Sequence, residues 1–296
     1  MTMKFRAHDT FFIRKGWLSK GMKYVQQNPC VFVDKEKNPM DVLGIGANMV
    51  KALRYWLQAV GLTEETAGRR REQHFTELGS CVYAHDRYLE ETGTLCLLQY
   101  KLATNLHEAT SWYCFFNCFT MNEFTKEDFV LQLQKFIDDR EPASMPALRS
   151  MEDDFMCIVS TYLPRYKVNP SKISAENNID CPLGELGLID LANKKKKSYR
   201  KAAPIIATIS PWIMLAFISE YANGQDEIAL SSLLTGERSI GKVFNLDAVN
   251  LLDVLHKLER LGEVKVIRTA GLDVVHLINK RTFLECVERY YKEIEE

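Results

Sequence analysis

The pattern that most restricts the fold lies near the end of the chain, where residues 246–261 repeat apolar side chains at helical spacing. The apolar positions are Leu246, Val249, Leu251, Leu252, Val254, Leu255, Leu258 and Leu261. This spacing predicts an amphipathic helix, and Gly262 is suited to ending it. Residues 264–267 then predict a strand, residues 270–271 a turn and residues 274–278 a second strand.

Two further elements precede this helix and hairpin. Pro211 is placed to open a helix that runs to Tyr221, and Asn223-Gly224 closes it. Residues 228–234 predict a short element before the long helix. Helices followed by a hairpin in this order predict a winged-helix-like domain over residues 204–296.

The first 80 residues show a weaker version of the same order. Helical spacing over residues 17–25, a short helix over 40–46 and a longer one over 47–60 suggest a helix-turn-helix. Residues 62–79 contain an arginine-rich stretch between hydrophobic ends, which predicts a wing whose closing strand continues to Gly79. We therefore predict a winged-helix-like domain over residues 1–80.

The remaining segments are predicted to form a helical domain and a linker. Aromatic and apolar runs within residues 81–163 predict a helical middle domain, whereas prolines and a lysine run mark residues 164–203 as an extended linker. The predicted fold class is mainly α with small β-hairpins (α+β), two winged-helix-like units being joined by the helical middle domain.

Composition limits the class of protein more than its function. The 296 residues allow two or three units, and 46% hydrophobic with 26% charged residues is typical of globular proteins. The eight cysteines are scattered as in cytosolic proteins, and neither a signal peptide nor a membrane span is evident. We expect a cytoplasmic protein.

Any DNA contact has to come from local patches, because the formal net charge is only -1. On the second helix of the first unit, the candidates are Asn48, Lys51, Arg54 and Gln58, with Arg69, Arg70 and Arg71 on the wing. Asparagine and arginine can bind base edges, and lysine can bind phosphates. A protein-docking role for the same unit stays open, and the second basic cluster, at residues 194–201, is interpreted as a solvated loop.

Several stretches together resemble one bacterial family. They are residues 5–11 (FRAHDTF), 14–18 (RKGWL), 44–50 (GIGANMV), 54–56 (RYW), 88–90 (YLE), 93–95 (GTL), 181–183 (CPL) and 185–189 (ELGLI). The chain is similar along nearly its whole length to the bacterial domain of unknown function family 4007.

This resemblance implies a genomic setting beside DNA-modification and phage-defence genes, notably those for DNA phosphorothioation. The partners it implies are a cysteine desulfurase and a sulfotransfer protein resembling phosphoadenosine-phosphosulfate reductase. In such a setting, Cys157 and Cys181 become candidate sulfur carriers, since a persulfide relay needs an accessible thiol. Structural packing of both thiols is the alternative.

Three other patterns allow chemistry but have simpler explanations. Glu263-Val264-Lys265 has the E-x-K form of many nucleases, with Asp253 upstream, yet alternation within a strand explains it as well. Cys114 and Cys118, one helical turn apart, could bind a metal or lie in a helical core. The His8-Asp9 pair could form a binding or acid-base site, or hold the N-terminal segment in place.

Taken together, these observations predict a non-enzymatic DNA-binding accessory protein without a cofactor or a bound metal, which positions partner enzymes on DNA. The alternatives are a protein-protein scaffold without DNA contact and a sulfur-relay or nuclease component. The acidic positions Asp247, Asp253 and Glu259 on the last long helix favour the N-terminal unit for DNA and leave the C-terminal unit for a partner.

Overall fold

The computed structural model describes residues 3–66, 71–163, 180–269 and 272–296. The N-terminal part contains four helices and a short antiparallel hairpin. They are α1 (Trp17–Gln27), α2 (Pro39–Leu43), α3 (Ala47–Ala59), β1 (Thr63–Glu65), β2 (Gln73–Phe75) and α4 (Glu77–His85).

Local sequence explains where these helices begin and end. The Asn38 side chain accepts a hydrogen bond from the Met40 N–H and caps α2, which ends at Gly44 in the left-handed conformation. The predicted extension of the wing strand to Gly79 is wrong. The Thr76 hydroxyl accepts the Gly79 N–H and starts α4 directly after β2.

The middle of the chain is helical, with one irregular turn. Its elements are α5 (Thr92–Thr104), α6 (Thr110–Tyr113), a π-helix (Cys114–Cys118), β3 (Glu123–Phe124), α7 (Lys126–Arg140) and α8 (Leu148–Tyr162). A capping box between Thr125 and Asp128 starts α7. Residues 110–118 do not form one regular helix, since the first four form α6 and the next five a π-helix.

Part of the segment predicted as a linker contains regular structure. A 3-10 helix (Pro182–Leu186) is followed by β4 (Ile189–Asn193) and β5 (Ser198–Lys201). β5 pairs with both β4 and β3, which gives a three-stranded antiparallel sheet in the order β3-β5-β4. Residues 164–179 of the predicted linker lie outside the described residues.

The C-terminal part starts with α9 (Pro211–Ala222). It continues through β6 (Glu227–Ala229), α10 (Leu230–Thr235), α11 (Ile240–Val243), α12 (Ala248–Arg260), β7 (Val264–Thr269), β8 (Leu272–Leu277) and α13 (Phe283–Glu295). The three strands form an antiparallel sheet in the order β6-β8-β7. The predicted fold class, mainly α with small antiparallel sheets, is confirmed.

Helix α13 connects the end of the chain to its first half. The Tyr290 hydroxyl accepts the Gly93 N–H at 3.2 Å, and the Tyr291 hydroxyl is 2.7 Å from the Thr94 hydroxyl. The space at Gly93 requires glycine, because an added Cβ would lie 2.3 Å from the Tyr290 ring. Among the described helices, none is both long and apolar enough to cross a membrane.

Lys201 closes the end of the π-helix. Its Nζ donates hydrogen bonds to the carbonyl oxygens of Phe115 (2.7 Å) and Phe119 (2.5 Å). Burial and, to a smaller extent, repulsion from Lys242 lower the pKa of Lys201 to about 7. The interpretation of residues 194–201 as a solvated loop is therefore wrong at Lys201, whose ammonium group lies against the rings of Phe115 and Phe119.

Lys201→Met tests this buried ammonium group. Because the pKa of Lys201 is lower in the folded chain than in the unfolded chain, the unfolded chain binds more protons above pH 7. The unfolding free energy of the wild type should therefore rise relative to that of Lys201→Met between pH 7 and pH 8.5. Urea unfolding at both pH values measures the difference. A difference independent of pH, or one equal to that of the exposed control Lys195→Met, would contradict the assignment.

Candidate nucleic-acid interface

Helix α3 has one buried face and one exposed face. Val50, Leu53 and Trp56 are buried against the core, whereas Asn48 and Lys51 are exposed. Since residues three and four apart lie on the same face of a helix, Asn48, Lys51, Arg54 and Gln58 follow one side of α3. The four helical residues predicted to bind DNA are thus brought together by the fold.

Two of these four side chains already have partners within the chain. Arg54 donates from Nε and Nη2 to Oε2 of Glu65, at 2.9 and 2.6 Å, and thereby links α3 to the hairpin. The Gln58 amide donates to the Arg54 carbonyl oxygen at 3.1 Å. Asn48 and Lys51 are the members of the set with exposed side chains, so contact with DNA through Arg54 would first have to break its pair with Glu65.

The predicted arginine wing is described only in part. β1 and β2 pair antiparallel, with Thr63 opposite Phe75 and Glu65 opposite Gln73. Arg71 is exposed just before β2. Arg69 and Arg70 lie outside the described residues, so a role in binding phosphates stays a prediction for both.

A cleft of about 580 Å3 opens beside the start of α3. It is lined by Arg14, Lys15, Gly16, Trp17, Lys20, Met40, Gly44, Ile45, Gly46 and Met49. Three of these residues are cationic, and none of the described residues that line the cleft is acidic. The arrangement produces a local positive potential in a chain whose net charge is only -1.

The cations of this cleft are held by aromatic and backbone groups. The Arg14 guanidinium lies 5.2 Å from the centre of the Trp17 ring and 5.7 Å from that of Phe11. Nζ of Lys20 donates to the carbonyl oxygen of Leu43 at 3.1 Å, at the end of α2. Arg14 and Lys20 therefore have defined positions without forming an ion pair in the described part of the chain.

Two helices start at the cleft. Gly16 precedes α1 and Gly46 precedes α3, and neither helix has a side-chain cap or an acidic residue in its first turn. The first N–H groups of a helix lack partners within the helix and carry its positive dipole end. Helix dipoles and cationic side chains thus favour an anionic group in this cleft.

The N-terminal segment that leads to the cleft is anchored on a buried carboxylate. Oδ1 of Asp154 accepts the Arg6 N–H and the His8 Nε2–H, both at 2.8 Å. Its Oδ2 accepts the Ser111 hydroxyl at 2.6 Å. Nδ1 of His8 accepts the Thr10 N–H, which assigns the ring hydrogen to Nε2. These contacts hold the N-terminal segment in place, one of the two roles considered for His8.

The N-terminal segment also has an unusual backbone. Arg6, Asp9 and Thr10 have φ angles of 54°, 48° and 67°. The left-handed region is unfavourable for a β-branched residue such as Thr10, and such residues persist only where the surroundings hold them. The bonds of Asp154 and the stacking of His8 on Trp56, with ring centres 5.8 Å apart, supply that restraint.

The thiols considered as sulfur carriers lie in the interior. Cys181 is 4% and Cys157 3% exposed, so neither is the accessible thiol that a persulfide relay needs. Burial raises the pKa of Cys181 to about 12, which disfavours the thiolate that sulfur transfer requires.

The two other candidate centres also have structural partners. Glu263 of the E-x-K pattern is bound by Arg281 through two hydrogen bonds, at 2.8 and 2.9 Å, and by Asn279. Burial alone would raise the pKa of Glu263, but these hydrogen bonds outweigh it and lower the pKa. Cys114 is fully buried in the π-helix. Within the described ranges, no group of three or more His, Cys, Asp or Glu side chains could hold a metal ion.

Sequence reasoning missed part of this interface. Arg14 and Lys15 belong to the family-like stretch 14–18, but Lys20 carries no signal in the sequence, because a single lysine on an amphipathic helix is usually solvated. Asp154 was also missed, since it lies 146 residues from His8 in the chain. The glycines at 16, 44 and 46 were the available signal for a site where the backbone is open to a ligand.

Asp154→Ala tests the anchor of the N-terminal segment. It should lower the unfolding free energy by about 3 kcal/mol or more, because it leaves two buried donors and one partly buried donor without an acceptor. The adjacent Asp153 is the matched control, since its partly exposed carboxylate pairs with the Arg6 side chain and Asp153→Ala should cost less than about 1 kcal/mol. Urea unfolding measures both. Equal effects of the two substitutions would contradict the assignment.

Comparison with known proteins places the chain in a family. The profile described as "Protein of unknown function (DUF4007)" matches residues 5–291. No curated protein matches the chain. Two crystal structures of SspB, one of them bound to a magnesium ion, are similar in fold, with TM-scores of 0.84 and 0.83. Each is 24% identical, and each alignment covers 99% of this chain and 89% of the SspB chain. At that identity the likeness shows a shared fold. The family match spans nearly the whole chain, and the protein therefore belongs to the DUF4007 family.

Proposed function

We propose that this protein is a DNA-binding accessory protein of a bacterial DNA-modification or phage-defence system, in which it positions partner enzymes on DNA. The observation that carries the proposal is the continuity between the exposed face of α3 and the cationic cleft at its start. Met49 and Gly46 line the cleft, and Asn48 and Lys51 extend from the same end of α3.

The order of the elements supports interpreting both ends of the chain as winged-helix-like units. In the C-terminal part, α9, β6, α10 to α12 and the β7-β8 hairpin follow one another, and β8 lies between the other two strands. In the N-terminal part, three helices precede the β1-β2 hairpin. In helix-turn-helix proteins, the N-terminal residues of the second helix contact bases in the major groove. By that analogy α3 is the recognition helix.

In our proposal, different side chains of the described residues contact different parts of DNA. Lys15 and Lys51 are exposed and would contact phosphates, as would the N–H groups at the starts of α1 and α3. Asn48 would contact a base edge, for which its amide is suited. Arg54 would hold the hairpin against α3 through Glu65, so that the wing has a fixed orientation.

The C-terminal part suits a protein partner better than a phosphate backbone. The exposed side of α12 presents Asp253 together with Val249, whose side chain is 68% exposed. The family resemblance suggests DNA phosphorothioation as the system, with a cysteine desulfurase and a sulfotransfer protein as partners. We propose that α12 faces such a partner while α3 faces DNA.

The alternatives receive less support. Burial of Cys157 and Cys181 disfavours a sulfur relay, and the pairing of Glu263 with Arg281 disfavours a nuclease centre at the E-x-K pattern. The magnesium ion is a property of one SspB crystal structure. Because no described group of carboxylates, histidines or thiols converges in this chain, our proposal includes no metal-dependent step. A measurement of DNA binding distinguishes our proposal from a scaffold without DNA contact.

Lys15→Ala and Lys51→Ala provide that measurement. Each should weaken the binding of a 20-base-pair duplex by about three- to tenfold at low salt, because each removes one phosphate contact. Fluorescence polarisation with a labelled duplex gives the dissociation constants. Lys135→Ala on α7 is the matched control, since Lys135 is exposed on another element, and its affinity should equal that of the wild type. Equal affinities of all four proteins, or no binding by any, would contradict the proposal.

A further inference from the structure

The cleft beside α3 has two chemically different sides. Arg14, Lys15 and Lys20 supply positive charge, whereas Met40, Ile45 and Met49 supply flexible apolar surface. Met40 is 40% exposed, and Ile45 and Met49 are partly exposed. A site for an inorganic anion alone would need only the charged side. The second side indicates a ligand that has both an anionic group and an apolar body.

The size of the cleft restricts that ligand further. Its volume of about 580 Å3 lies within the range of small-molecule sites, about 300–1,000 Å3. A double helix is far too wide to enter such a space, since its major groove alone is about 12 Å wide. A single nucleotide has a suitable size, with a phosphate at one end and a base that can pack on apolar side chains.

Gly46 adds an independent observation. Its φ angle is -66°, which any residue can adopt, and an added Cβ would meet nothing within 4 Å. The packing of the protein therefore does not require glycine at this position. Glycine leaves the N–H groups at the start of α3 open to close approach by a ligand, and a branched side chain would fill that space.

We propose that this cleft holds one unpaired nucleotide of a DNA strand whose neighbouring duplex lies along α3. The phosphate of that nucleotide lies between Arg14, Lys15 and the start of α3, and its base packs against Ile45 and Met49. This inference rests on the proposed DNA-binding function and adds the form of DNA that is bound. The protein then prefers DNA that offers an unpaired nucleotide over a fully paired duplex.

The test compares two DNA probes and three proteins. The probes are a 20-base-pair duplex and the same duplex with one unpaired nucleotide at its centre. The proteins are the wild type, Gly46→Val, which fills the cleft without changing charge, and Ala47→Val. Ala47 is the matched control, because it is exposed on the next position of the chain and does not line the cleft. The free energies of unfolding of all three proteins, measured by thermal unfolding, should agree within about 1 kcal/mol, as is usual for surface substitutions.

The wild type and Ala47→Val should bind the probe with the unpaired nucleotide about tenfold more tightly than the paired duplex, a factor typical of holding one base. Gly46→Val should bind both probes with equal affinity, because the filled cleft no longer holds the unpaired nucleotide. Equal binding of both probes by the wild type would overturn the nucleotide site and leave DNA binding intact. No binding of either probe would overturn both proposals.

A third ligand, free deoxyadenosine monophosphate, shows whether the cleft binds a nucleotide within a DNA strand or a free nucleotide. A nucleotide within a strand is aided by contacts of the flanking duplex, so the free nucleotide should bind at least about a hundredfold more weakly than the probe. Binding of the free nucleotide as tight as that of the probe would overturn the assignment to DNA. A preference for the unpaired nucleotide that survives in Gly46→Val would overturn the assignment of that preference to the cleft.

Discussion

The buried carboxylate of Asp154 is the interaction on which the rest of the interface depends. It accepts hydrogen bonds from the Arg6 backbone, the His8 ring and the Ser111 hydroxyl, and so attaches the N-terminal segment to α6 and α8. A buried carboxylate is stable only when its oxygens are satisfied, and these donors satisfy it. Because the segment is fixed at residues 6–10, the next residues reach the start of α1 in one position. Arg14 can then stack on Trp17 at the mouth of the cleft.

The charges at this interface matter because of where they lie. With 38 basic and 39 acidic residues, the chain attracts nucleic acid only where cations are grouped. The fold groups Arg14, Lys15 and Lys20 with the starts of α1 and α3 and places no described acidic residue in the cleft lining. Helix α3 then serves two purposes, since its apolar side packs on the core and its polar side continues the cleft. Tyr290 and Tyr291 of α13 connect α5, in the middle of the chain, to the C-terminal part, which would face a partner.

Sequence patterns predicted the elements formed by local interactions. The helix α12 and the β7-β8 hairpin depend on residues close together in the chain, and both were expected. The β3-β5-β4 sheet was not predicted, because β3 consists of two residues and its partner lies about 75 residues away. The π-helix was missed as well, since its apolar spacing resembles that of an α-helix. Of the interface, Asn48 and Lys51 could be predicted from helical spacing, whereas the pair of Arg54 with Glu65 and the role of Lys20 depend on the folded chain.

The central claim is that this protein contacts the phosphate backbone of DNA, and the salt dependence of binding tests it most directly. Each phosphate contact releases condensed cations, so the logarithm of the binding constant falls linearly with the logarithm of salt concentration. With three or four contacts from the cleft and α3, we expect a slope of about -3 between 50 and 200 mM salt, since each contact contributes about -0.9. A slope near zero, or no binding at the lowest salt concentration, would contradict the account.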